Sequence, residues 1–220
     1  MQARAVKIVS SSLVIVVAGA ILFFRFFEPT TKVEPRPHLA IGQALAEQAA
    51  KLLGSGGRIT LVAPDTAAYR HPGAELQLKA FHRALRDAKL SVSATNLIKL
   101  DPLFVPRVPP GYFVTILRKQ SEGDVVVSLF GPPVLTPEQR AQLGEKRPRV
   151  VAVCSGDMPR QIDLKAIFAD NLLHAAIISR ARTVGAGPST DSLPDWFNYS
   201  FQWITPQNLA DLPSVETGGR

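Results

Sequence analysis

Arg58-Ile59-Thr60-Leu61-Val62-Ala63-Pro64-Asp65 is the stretch on which the fold turns. Ile59 to Val62 is a compact run of β-favouring residues between a glycine-rich turn and a Pro-Asp pair, with the length and type of a buried strand. A strand buried on both faces belongs to a sheet covered on both sides, and a parallel sheet is covered by the helices that connect its strands. The flanking sequence supplies them. Upstream, Ile41, Leu45, Ala49 and Leu52 recur at helical spacing and Gly54 follows as a stop. Downstream, residues 74–88 carry Leu78, Phe81 and Leu85 on one helical face.

The same alternation continues to the C-terminal side. Residues 90–96 alternate apolar and polar, the pattern of an edge strand with one wet face. Continuous apolar runs at 125–130, 150–154 and 175–178 predict three further strands. Between them, Thr136, Pro137, Glu138 and Gln139 form a capping-box sequence that opens a short helix, which Gly144 can end. Asp163 caps another helix, with Leu164, Ile167, Phe168 and Leu172 in one stripe. Residues 112–117 fit either a strand or a helix; the crossover that a parallel sheet needs between its second and third strands favours the helix. The expected fold is α/β: a doubly wound, mostly parallel five-stranded sheet in the order 2-1-3-4-5, preceded by one N-terminal transmembrane helix.

The run Ile59 to Val62 with Pro64 and Asp65 after it resembles one lobe of the type I periplasmic binding-protein family. So does the stretch from Asn171 to Arg180, where a helix passes directly into Ala-Ala-Ile-Ile-Ser-Arg. More loosely, the pattern is similar to a flavodoxin-like domain. The resemblance spans residues 58–180 and implies a Rossmann-like lobe that binds a small ligand. It leaves no room for the second lobe with which such proteins close on a sugar or an amino acid.

Towards the N-terminus, an apolar run without a charge begins at Ile8 and reaches Phe24, or Phe27 if Arg25 lies at the interface. Its seventeen to twenty positions span roughly 25 to 30 Å as a helix, about the thickness of a bilayer's hydrocarbon core. The expected partner is therefore the lipid bilayer through Ile8 to Phe27, as a single-pass, uncleaved anchor behind a short basic lead. A cleaved signal peptide is the alternative, but cutting at Ala18-Gly19-Ala20 would expose Ile21, Leu22, Phe23 and Phe24. With its N-terminus cytoplasmic, the chain would hold its folded part outside the cytoplasmic membrane. The expected division is an anchor at 1–27, a proline-rich linker at 28–38, a Rossmann-like domain at 39–182 and a tail at 183–220.

Composition narrows the function. The net charge of +7 and pI near 9.9 come from scattered basic residues. The densest group, Lys146, Arg147 and Arg149, has no interleaved aromatic residues to stack on bases, so nucleic acid is not an expected partner. Cys154 is the chain's single cysteine, which excludes an intrachain disulfide and thiolate-rich metal sites. The Gly54-Ser55-Gly56-Gly57 stretch precedes a strand, whereas a phosphate loop must follow one and open a helix. No nucleophile elbow is present, the four histidines are dispersed, and no spacing matches a metal site. No catalytic residue, metal or cofactor is implied.

In open parallel sheets, ligands bind outside the carboxyl ends of the strands. Here those ends carry Asp65 and Thr66, Ser155 and Asp157, and Arg180, which together could ring a small polar ligand. These same residue types are also favoured in turns and helix caps. In the tail, Phe197, Tyr199, Phe201 and Trp203 recur at every second residue, which would place four aromatic rings on one face of an extended segment. Such a face must be covered by the domain itself or by a protein partner in a membrane assembly. The chain reads as a non-catalytic ligand-binding or sensing module; the alternative is a scaffold that docks through its aromatic tail.

Overall fold

Side chains of successive strands sort into two cores, one on each face of a single sheet. Ile59, Leu61, Val125, Val127, Val151, Val153 and Ile177 pack on one face. Val62, Val126, Val150, Ala152, Ala176, Ile178 and Ile204 pack on the other. This is the period-2 consequence of strands that are apolar throughout. Each fully buried Val, Leu or Ile contributes about 1.5 to 3 kcal/mol, so these central strands dominate the stability of the domain.

The computed structural model describes residues 33–67, 71–99, 107–180 and 187–213. The chain divides into two units, 1–33 and 34–220, and the second is described here. In order, it contains α1 (Pro35–Leu52), β1 (Ile59–Asp65), α2 (Pro72–Asp87), β2 (Val92–Lys99), α3 (Pro110–Arg118), β3 (Val125–Ser128) and α4 (Pro137–Ala141). There follow β4 (Arg149–Val153), α5 (Met158–Gln161), α6 (Leu164–Ala169), β5 (Ala175–Ser179), α7 (Leu193–Ser200), β6 (Phe201–Ile204) and a 3-10 turn (Pro206–Asp211). The anchor expected through Ile8 to Phe27 lies outside the described residues. Among the described residues, no helix is long and apolar enough to cross a membrane.

The sheet is α/β and mostly parallel, with six strands in the order β2-β1-β3-β4-β5-β6. The expected five-stranded order is thereby corrected: β6 is added beyond β5, antiparallel, with Ile177 opposite Trp203 and Ser179 opposite Phe201. β2 forms the other edge, and most of its residues are exposed. Residues 112–117 lie within α3, the crossover between β2 and β3. The Thr136 capping box forms as its sequence dictates: Thr136 Oγ1 accepts from Gln139 N–H, and Gln139 Oε1 accepts from Thr136 N–H at 3.0 Å.

Two expected boundaries are corrected. The proline-rich linker does not run to His38, because α1 already begins at Pro35. Prolines suit a first helical turn, where the N–H they lack has no intrahelical acceptor. The tail is not separate from the domain either. Phe197 and Tyr199 belong to α7, and only Phe201 and Trp203 are in a strand, so the four rings do not share one extended face. Phe197 is buried, and its ring lies 6.0 Å from that of Phe201 and 5.8 Å from that of Trp203. Phe197, Phe201 and Trp203 are packed inside the domain, and Tyr199 is exposed.

The glycine-rich turn before β1 has a structural role. Gly54 N–H donates to Gly123 O at 2.9 Å, and a Cβ on Gly57 would collide with that same carbonyl. The backbone can pass there only without a side chain. Beneath it, buried Asp124 accepts from Ser121 N–H at 2.7 Å, Arg58 N–H at 2.8 Å and the Arg58 guanidinium at 3.2 Å. This arrangement ties the amino ends of β1 and β3 together.

Candidate functional site

The carboxyl ends of the strands gather the loops that can hold a ligand. β3 ends at buried Ser128, whose Oγ donates to Gly131 O at 3.1 Å and accepts from Phe130 N–H at 3.3 Å. This fixes a tight loop with Gly131 at φ +74°, a left-handed conformation that glycine adopts without strain. A Cβ on Gly131 would collide with Met158 Sδ, so the thioether sits directly against the glycine backbone. Met158 opens α5, the short helix after β4.

Between these loops and the start of α3 lies a cleft of about 290 Å3. Its wall includes Val108, Phe130, Val134, Met158 and Ile162, with the proline pairs Pro109-Pro110 and Pro132-Pro133. Among the described residues, Arg107 is the only charged one lining it, and its Nη2 donates to Gln161 Oε1 at 2.9 Å. Proline fixes its own φ, so this wall is largely set before anything binds.

The five residues expected to ring a ligand all lie at this edge of the sheet, but none of them lines the cleft. Asp65 ends β1, and its Oδ1 accepts from Ala67 N–H at 3.1 Å, a turn-forming contact. Thr66 follows it, half-buried. Ser155 and Asp157 are exposed in the turn after β4; the Asp157 carboxylate makes no cap to α5. Arg180 follows β5, where its Nε donates to Phe201 O at 2.8 Å and its N–H to Ser200 O at 3.0 Å. That arginine fastens the junction of α7 and β6.

Beside the cleft, Cys154 is fully buried, and burial pushes its thiol up to about 12. It is packing, not a nucleophile. Among the described residues, no group of three or more His, Cys, Asp or Glu side chains could hold a metal ion.

A larger basin of about 420 Å3 lies at the opposite, amino end of the strands, lined by Glu122, Glu145, Arg147, Arg149, Asp170 and His174, among others. Its cations are already engaged: Arg147 donates to Gly144 O at 2.6 Å and to Asp170 O at 2.9 Å, and Arg149 donates to Leu52 O. Asp170 pairs with Arg140. His174 Nδ1 accepts from Val150 N–H at 3.2 Å; burial, with the charge of Arg149 next, holds this imidazole below its ordinary pKa. The basin is a network of internal ties at the end of the sheet where ligands are not ordinarily bound.

No protein-family model and no curated protein matches the chain. Among solved structures it is similar to a periplasmic ribose ABC transporter protein of Conexibacter woesei, with 15% identity, a TM-score of 0.41, 64% of this chain covered and 45% of that one. It is similar also to a carbohydrate transporter solute-binding protein of Agrobacterium radiobacter in complex with D-arabinose, at 11% identity and a TM-score of 0.47, covering 79% of this chain and 61% of that one. A third is a protein of Mycobacterium smegmatis, at 15% identity and a TM-score of 0.38, covering 66% and 46%. The chain spans 45 to 61% of the length of these three structures.

Proposed function

We propose that this chain is a small-ligand binding module held outside the cytoplasmic membrane by the apolar run from Ile8 to Phe27, and that its ligand enters the cleft beyond β3 and β4. One observation carries the reading: a preformed concave site of about 290 Å3 stands at the carboxyl ends of the strands, beside the point where the strand order reverses between β1 and β3. In this reading Asp65, Thr66, Ser155 and Asp157 shape or solvate the surrounding turns, and Arg180 fastens β6. The module changes no bonds in its ligand. It signals or delivers by occupancy, and membrane attachment keeps it at the surface where that occupancy matters.

The scaffold alternative loses its main support, because Phe197, Phe201 and Trp203 are occupied within the domain. A thermal-shift panel of small carboxylates, amides and sugars on the full chain, repeated with Val134→Trp, tests the binding reading. Val134 is 59% exposed at the cleft, so a larger ring there fills the opening without disturbing the core. A ligand that raises the Tm of the wild type but not of the variant supports the cleft; an equal rise in both places binding elsewhere.

A further inference from the structure

Taking the cleft as the ligand site, we infer that its ligand is a small carboxylate with a flat apolar body, and that Arg107 is the residue that selects the charge. The first argument is what the wall does not offer. Pro109, Pro110, Pro132 and Pro133 have no N–H to donate. Phe130 N–H is taken by Ser128 Oγ, and Ile162 N–H by Met158 O at 3.1 Å. Six of the lining residues thus present no free backbone donor. A sugar carries a hydroxyl on nearly every carbon, and each one buried without a partner is penalised. This wall rewards carbon instead: the Phe130 ring, the Met158 thioether and the proline rings all make favourable contact with a flat apolar group.

The second argument is charge. Among the described residues, Arg107 is the only ionised side chain on the wall, and none of them brings a carboxylate to the cleft. One of its amino groups is held by Gln161, which steadies a guanidinium that carries five N–H donors in all. A guanidinium fixed at the rim of an apolar cleft matches a carboxylate joined to an apolar body, with charge-assisted bonds about twice as strong as neutral ones. Size completes the description. A cleft of about 290 Å3 is at the small end of ligand sites and fits one ring with a short acidic arm.

The test is calorimetric titration of the full 220-residue chain in lipid nanodiscs with three probes: 3-phenylpropanoate, its uncharged amide, and D-arabinose. The carboxylate should bind, the amide roughly tenfold more weakly, and the sugar not measurably. Arg107→Gln should weaken the carboxylate roughly tenfold and leave the amide within about twofold. Arg107 is exposed, so that variant keeps the core intact. Equal affinity for acid and amide, an unchanged acid in Arg107→Gln, preference for the sugar, or no binding by any probe would each overturn the carboxylate assignment. The reading of the cleft as the site fails separately, if binding of whichever probe is taken up survives Val134→Trp.

Discussion

The Arg36 guanidinium lies 4.5 Å above the centre of the Trp196 ring. Arg36 belongs to the first helical turn of the domain and Trp196 to its last helix, so one contact closes the ends of the fold on each other. Glu34 at 2.6 Å and Asp191 at 3.2 Å hold the same guanidinium. Trp196 is buried, donates its Nε1–H to Thr190 O at 2.9 Å and leaves room for Gly187 alone beside its ring.

Trp196→Ala should therefore cost the whole domain on the order of 3 kcal/mol, as a buried aromatic deletion does. Urea denaturation followed by far-UV circular dichroism measures it. Removing residues 193–213 should prevent cooperative folding, because β6 and α7 go with them. A truncated chain that still melts in one sharp transition would show that the segment is an appendage.

Gly42 marks the closest approach between α1 and α2. A Cβ there would collide with the Gln77 carbonyl and press on Ala80 at 2.8 Å, and both obstacles are inflexible. Gly42→Ala should destabilise by roughly 1 to 3 kcal/mol despite its better helix propensity. A variant as stable as the wild type would mean that the helices pack further apart than described.

Acid should unfold the protein through two identifiable groups. Burial raises the Asp124 carboxyl, but hydrogen bonds from Ser121 N–H and from the Arg58 guanidinium and N–H outweigh it, leaving the pKa below its ordinary 3.8. The folded value is the lower one, so this stabilisation is present above about 3.8 and is lost as the pH falls through the folded value. His174, lowered by burial and then by Arg149, stays neutral while the unfolded chain takes up its proton. Stability is complete above 6.5 on its account and declines as the pH falls below that value. Asp124→Asn should lose about 1 to 3 kcal/mol at neutral pH and flatten the acid limb of a urea-midpoint-against-pH curve. A midpoint that rises on acidification from neutrality would contradict both assignments.

Cys154 supplies a chemical readout. Its thiol is buried and its pKa is pushed up to about 12, so iodoacetamide at mildly alkaline pH should label the native chain far more slowly than the denatured one. Mass spectrometry against time checks this, and equal rates would place the thiol in a reactive, open setting.

The strands were legible because each signal is local: Val125-Val126-Val127 and Ala175-Ala176-Ile177-Ile178 are continuous apolar runs that only a two-sided burial explains. The capping box at Thr136 was legible for the same reason. The start of α1 and the whole of α7 were not. Glu34-Pro35 and Ser192-Leu193-Pro194-Asp195 are both helix starts, with a capping side chain and a proline in the first turn, but the prolines of one and the alternating aromatics of the other suggest extended chain. The cleft was hidden more deeply. Arg107, Phe130 and Met158 come from three separate segments, and the pairs Pro109-Pro110 and Pro132-Pro133 read as strand or helix punctuation until the fold brings them to one cleft. Ending at a strand's carboxyl end pointed to the edge of the sheet where the cleft also lies, yet it could not distinguish Asp157, which faces solvent, from Met158, which lines the cleft.

Met158 allows the most direct test of the site, since the chain has only one other methionine, Met1. With methyl-labelled methionine, titration of the full chain with 3-phenylpropanoate should shift the Met158 methyl resonance along the same saturation curve that calorimetry gives, while the Met1 signal stays in place. Saturable binding that leaves the Met158 methyl unmoved would contradict the cleft as the place where this protein holds its ligand.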